Sequence, residues 1–185
     1  MDEASPDSAT APTDGATATP VNSGRRTVFH LREVTKAWPG QNDFVLTIPE
    51  LTVDRGEKVA IVGYSGCGKS TLLDLLALVL RPEAAGRFLF FAEPDRSLDV
   101  DRCWKKNDMN RLAHSRMQQI GYVLQTGGLL PFLSVGDNIG LSRRALGLPD
   151  EGRVANWAER LGIRRHLRKY PAQLSVGERQ RVAIA

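Results

Sequence analysis

The sequence predicts an α/β fold, and three observations carry that prediction. "KVAIVG" (residues 58–63) is a continuous apolar run ending in glycine, the pattern of a strand buried on both faces of a parallel sheet. "KSTLLDLLALVL" (residues 69–80) follows, helical in length and apolar nearly all round, as expected of a buried helix that stops at Arg81 and Pro82. Ahead of both, "TVFHL", "FVLTI" and "LTV" are β-branched and aromatic runs broken by "WPGQN" and "DRGE", which predicts an antiparallel β region.

The other elements follow in chain order. Residues 1–24 are Ala, Thr, Ser, Pro, Asp and Gly with little to bury, which predicts a disordered tail. "GRFLFF" reads as a further strand, and the polar stretch 94–106 as a surface loop or insertion. Within it, "LDVDR" alternates charge with apolar residues and does not read as a buried strand. "NRLAHSRM" predicts an amphipathic helix feeding a strand "IGYVLQ" that ends at Gln125. Beyond Gln125 the pattern turns helical, over residues 135–146, 151–161 and 164–169, joined by "GLPD" and "YPAQ". Ser175 and Glu178 form an S-x-x-E pair that predicts the capped start of a last helix.

Composition narrows the function classes. At 185 residues the chain suffices for one well-cored domain, and 42% hydrophobic with 25% charged residues is ordinary for a globular protein. The longest apolar stretch, residues 75–80, falls far short of the roughly 20 residues that cross a bilayer. Asp2 and Glu3 open the chain where a secretory signal would be basic and then apolar, and Cys67 and Cys103 are too few for a disulfide framework; both features predict a cytosolic location. The tail holds four acids and no Lys or Arg, leaving all 25 basic residues and 17 of the 21 acids, a net +8, to the rest of the chain. Such a body could attract polyanions or an anionic surface, or be a solvated basic surface.

"GYSGCGKST", Gly63, Tyr64, Ser65, Gly66, Cys67, Gly68, Lys69, Ser70 and Thr71, fits the phosphate-loop pattern G-x-x-x-x-G-K-[ST] and sits between the predicted buried strand and the helix start. Glycines let successive backbone N–H groups wrap phosphate oxygens, and the helix N-terminus adds partial positive charge. Lys69 can reach β- and γ-phosphates, and the Ser70 hydroxyl can ligate Mg²⁺. Cys67 lies where the helix start favours a thiolate; it is either a redox-active thiol or a small spacer.

Two further stretches, "IGYVLQTGGLLPFLSVGDNI" and "LSVGERQRVAIA", follow the phosphate loop in an order and at separations that resemble the ATP-binding cassette (ABC) transporter ATPases, from about Arg25 to Ala185. The resemblance implies a P-loop NTPase (RecA-like) core with an antiparallel β subdomain and a helical signature subdomain at about 127–180, the nucleotide-binding domain spanning 25–185. Gln125 matches the Q-loop glutamine that contacts Mg²⁺ and the attacking water and couples nucleotide to the transmembrane partner. Trp38 matches the aromatic that stacks on adenine, usually Tyr; a Trp packed on the β region is the alternative. "LSVGE" matches the signature usually written LSGGQ, with Val176 for the first Gly and Glu178 for the Gln. Ser175, Gly177 and Glu178 would then face the γ-phosphate held by a second nucleotide-binding domain, identical or not, so that two chains complete each site.

The family continues past this point into an apolar strand ending in Asp-Glu and then a switch histidine. The chain therefore reads as the N-terminal portion of such an ATPase, incomplete at its C-terminus, with Lys69 and Gln125 as its catalytic residues and negligible hydrolysis alone. The implied role is the ATP- and Mg²⁺-binding subunit of a transporter, nearest the lipoprotein-release, macrolide-export and cell-division type. Such a subunit is peripheral on the inner face of the membrane through its permease. Two alternatives stand beside it: a soluble ATPase of the same type acting on nucleic acid or ribosomes, and a truncated regulatory product that only binds. "RRHLRK" (residues 164–169) is the one basic run that suggests nucleic acid, but it lacks interleaved aromatics, and a solvated helix face is the plainer reading.

Overall fold

The computed structural model describes residues 26–38, 44–94, 96–125 and 127–185. The predicted tail, and the "WPGQN" turn beyond Trp38, lie outside them. Four strands, β1 (Thr27–Ala37), β2 (Val45–Asp54), β3 (Ala84–Glu93) and β4 (Arg96–Asp99), form an antiparallel sheet in the order β2-β1-β3-β4. β1 lies at its centre, pairing Leu31 with Leu51 of β2 and with Phe88 of β3. "FVLTI" and "LTV" prove to be one strand, since Pro49 sits on the open edge where a missing N–H costs no ladder bond.

One face of this sheet holds the larger core. Leu31, Val34, Ile48, Phe88, Phe90 and Leu98 pack with Leu75, Leu78, Val100, Cys103 and Leu112 from the helices. Leu75 belongs to α1 (Lys69–Leu76), which is shorter than the predicted helix. The backbone turns left-handed at Leu78 (φ 57°), which ends the helix before "LVL" can continue it. Arg116 of α3 (Met109–Gln119) donates to the Leu78 carbonyl at 2.6 Å and so satisfies an acceptor freed at that helix end.

The stretch 94–106 is not a surface loop. It contains β4 and α2 (Val100–Lys105), capped by Asp99 and buried through Leu98, Val100 and Cys103. The charge alternation of "LDVDR" is that of an edge strand running into a helix, with one side in the core.

Two predicted strands are absent. Residues 58–63 and 120–125 run without strand pairing, and most of their apolar side chains are exposed, Val62 to 85%, while Ile61 and Ile120 are half-buried. An apolar run becomes a strand only when another strand offers its N–H and C=O groups alongside. Among the described residues the only sheet is the antiparallel one, and neither segment joins it.

The second half is helical: α4 (Val135–Ile139), α5 (Leu141–Ala145), α6 (Arg153–Arg160) and α7 (Val176–Ile184), of which α4, α6 and α7 contribute to a smaller core of Val135, Ala158, Ile163, Leu174 and Val182. Gly140 divides the predicted helix 135–146 into α4 and α5. The predicted helix 164–169 is only a 3-10 turn at Arg164–His166, and it is not a wholly solvated face, because His166 is buried.

Leu75→Ala should lower the unfolding free energy by about 2–5 kcal/mol, whereas Leu73→Ala on the exposed face of α1 should change it by less than about 0.5 kcal/mol. Urea denaturation of both variants checks this, and equal losses would show that α1 is not seated through Leu75.

Candidate nucleotide site

The N-terminus of α1 opens into a cleft of about 490 Å³ lined by Trp38, Phe44, Ser65, Gly66, Gly68, Lys69, Ser70, Thr71 and Gln125. Trp38 follows β1 and Gln125 ends the unpaired segment 120–125, so three stretches far apart in sequence meet at one place. α1 enters through Gly68 at φ 94°, where a Cβ would lie 3.1 Å from both Leu46 and Phe44 of the β2 region. Gly63 has φ 152°, and a Cβ there would come within 2.7 Å of Cys67 Sγ. Both positions need a residue that tolerates positive φ and leaves the backbone uncovered.

Lys69 folds back over the loop. Its Nζ donates to the Gly63 carbonyl at 2.9 Å and the Tyr64 carbonyl at 2.6 Å, and lies 3.7 Å from Cys67 Sγ. These neutral acceptors hold the ammonium at the mouth of the loop, and an arriving polyanion offers it stronger, charge-assisted bonds. The side chain of Tyr64 is 80% exposed, so its backbone is the part that serves the loop. Trp38 is 41% exposed with Lys36 Nζ 5.0 Å from its ring centre, which leaves an aromatic surface at the cleft wall.

α1 is tied to the Gln125 segment by Tyr122, whose hydroxyl donates to Asp74. That bond to the carboxylate, with some burial, pushes the Tyr122 pKa up to about 12. Beyond Gln125, Asn138 accepts from the Leu130 N–H at 2.8 Å and donates to the carbonyls of Leu130, Leu133 and Ser134. The loop is thereby held with Phe132 projecting, 72% exposed.

Ser175, Gly177 and Glu178 do not line the cleft. They begin α7, where the predicted capping box is formed: the Glu178 N–H donates to Ser175 Oγ at 3.3 Å, and Glu178 Oε2 accepts from the Ser175 N–H at 2.8 Å. The bonds from Ser175, backbone first, hold the Glu178 carboxyl below its ordinary range, and the nearby His166 adds to the effect.

The sequence reading missed Phe44, visible only as the first residue of "FVLTI". It also missed His166, a histidine in a basic run with no local sign of burial. Within that run Arg164 pairs with Glu159 at 3.0 Å.

Residues 46–185 match the family model described as ABC transporter. The chain is 36% identical over 161 residues to "Methionine import ATP-binding protein MetN 1" of Pseudomonas syringae pv. syringae (strain B728a), covering 85% of this chain and 45% of that protein. It is 36% identical over 163 residues to "Lipoprotein-releasing system ATP-binding protein LolD" of Idiomarina loihiensis, covering 85% of this chain and 67% of that one. Among solved structures, the dimeric ATP-binding cassette MJ0796 bound to ADP and Pi superposes with a TM-score of 0.67 at 26% identity, over 84% of this chain and 67% of that one. The fold is therefore the P-loop cassette fold, of which this chain presents the antiparallel sheet, the phosphate loop and the helical half. The chain spans less than half the length of the methionine-import relative.

Because the Glu178 carboxyl is held below its ordinary value near 4.5, it contributes stability above that pH, lost as pH falls through the depressed value. Glu178→Gln should flatten the fall of stability below about pH 4.5. Urea midpoints at pH 7 and pH 4 in both proteins measure this, and parallel losses would contradict the capping-box geometry.

Proposed function

Given that this chain belongs to the ABC transporter family, we propose that it is the ATP-binding subunit of a membrane transporter, holding Mg-ATP in the cleft at the N-terminus of α1. The meeting of Trp38, the glycine loop with Lys69, and Gln125 around one cleft carries this reading. The aromatic wall suits a base, the loop and ammonium suit a triphosphate, and the Ser70 hydroxyl with the Gln125 side-chain oxygen suits a hard divalent cation. Among the described residues no cluster of three or more His, Cys, Asp or Glu could bind a metal unaided, so Mg²⁺ would be shared between these oxygens and the phosphates, neutralising their charge.

The lining of the cleft includes no carboxylate among the described residues. Lys69 and Gln125 hold and orient nucleotide, and they drive hydrolysis only together with a group that activates water. The capped start of α7 stands apart from the cleft of its own chain. Closing it over the nucleotide of a second, identical or related cassette is the arrangement we favour, and the dimeric state of MJ0796 supports it.

The face around Gly127, Gly128 and Leu129 borders a second cleft of about 370 Å³ reaching Trp157 of α6, with Phe132 exposed nearby. An apolar surface directly after Gln125 is suited to transmit nucleotide state to a permease at the inner face of the membrane. Among the described residues no helix is long and apolar enough to cross a membrane. The relatives serve methionine import and lipoprotein release, and the cleft itself carries no mark of the cargo.

Lys69→Ala should weaken ATP binding on the order of 10- to 100-fold, the loss expected for charge-assisted bonds to phosphate. Fluorescent ATP titration measures it, and unchanged affinity would remove Lys69 from the site. ATP should also protect the half-buried Cys67 from alkylation. Mass spectrometry of iodoacetamide-treated protein reads this directly, and equal labelling with and without ATP would place the nucleotide elsewhere.

A further inference from the structure

Glu178 divides its two carboxylate oxygens between two tasks. Oε2 accepts from the Ser175 N–H at 2.8 Å and the Ser175 hydroxyl at 2.9 Å, while Oε1 lies 3.0 Å from His166 Nε2. The His166 side chain is only 6% exposed and that of Glu178 18%. His166 comes from the 3-10 turn Arg164–His166, between Ile163 and Leu167, which both join the helical core.

An apolar side chain would fill that position without desolvating a ring nitrogen. Instead a buried imidazole is kept although its Nδ1 has no hydrogen-bond partner. An ionised carboxylate only accepts, so the Glu178 contact requires the proton on Nε2. Arg165 Nε, 3.0 Å from the same Nε2, is also a donor and cannot bond to a protonated nitrogen. The Glu178 contact, between side chains only 6% and 18% exposed, sets the tautomer, because the exposed Arg165 can give its proton to water instead. Neutral His166 then carries hydrogen on Nε2 and leaves Nδ1 as the bare nitrogen.

We propose that His166 is a positioning residue for the turn that begins α7: its Nε2–H holds Glu178 Oε1, which frees Oε2 to fix the Ser175 N–H and hydroxyl. His166 touches no nucleotide in this account; it acts through Glu178. Its consequence for partner binding rests on the proposal that Ser175 and Gly177 face a phosphate held by a second cassette. A glutamine at residue 178 would turn either an oxygen or an NH₂ toward His166 and lose the division of labour that the carboxylate has, so His166 and Glu178 act as a matched pair.

The test uses the full chain with His166→Leu and His166→Gln, the latter offering an amide N–H where Nε2–H stood. Amide exchange at Ser175 should rise at least about tenfold in His166→Leu and return toward wild type in His166→Gln. ATP binding by the monomer should stay unchanged while ATP-induced self-association weakens in His166→Leu. Unchanged Ser175 exchange in a folded His166→Leu overturns the proposal. Should that variant not fold, nitrogen-15 NMR of the wild-type ring decides: protonated Nε2 supports the proposal, and hydrogen on Nδ1 alone overturns it. A wild-type protein that binds ATP without self-associating would defeat the two-cassette reading, while the exchange and tautomer results still judge His166 itself.

Discussion

The burial of Leu75 and Leu78 between the antiparallel sheet and α3 fixes one end of α1 and leaves its other end at the surface. The place and direction of the phosphate loop follow from that asymmetric seating. A helix anchored by its C-terminal turn presents its free N–H groups, and the partial positive charge they carry, at a fixed place and direction. The glycines can then shape the approach to that end without contributing to the core. Arg116 on the Leu78 carbonyl and Tyr122 on Asp74 hold the same helix from two other elements, so its orientation is set from several sides.

The parts of the site differ in how they are held. The phosphate loop depends on backbone geometry at Gly63 and Gly68, where any side chain would meet Cys67, Leu46 or Phe44. Lys69 depends on its own loop carbonyls, an arrangement that a phosphate can outcompete. Gln125 sits on a segment with no strand alongside it, so the Tyr122 contact and the Asn138 bonds on either side restrain it. The start of α7 is a closed network of its own, built from Ser175, Glu178 and His166.

Much of this was legible in the sequence, and the omissions have physical causes. The phosphate loop, the antiparallel region and the Ser175 cap rest on local chemistry, namely glycine conformation, β-branched runs and a reciprocal cap, and all three are formed. Residues 58–63 read as a buried strand and 120–125 as a strand because apolar runs usually have a partner; whether one lies alongside is a property of the whole sheet. β4 and α2 were missed because edge strands and surface helices bury one side only, and their charge masks the apolar half. His166 was out of reach, since its burial depends on the packing of α7 against a turn twelve residues earlier.

The central claim is that residues from three distant stretches meet around one triphosphate. Backbone and indole NMR shifts on addition of Mg-ATP test it most directly. The account predicts saturable shifts at Gly66, Gly68, Lys69, Ser70, the Trp38 indole and the Gln125 side chain, with α6 unmoved. No saturable shift at the loop, or shifts at the loop without Trp38 and Gln125, would contradict it.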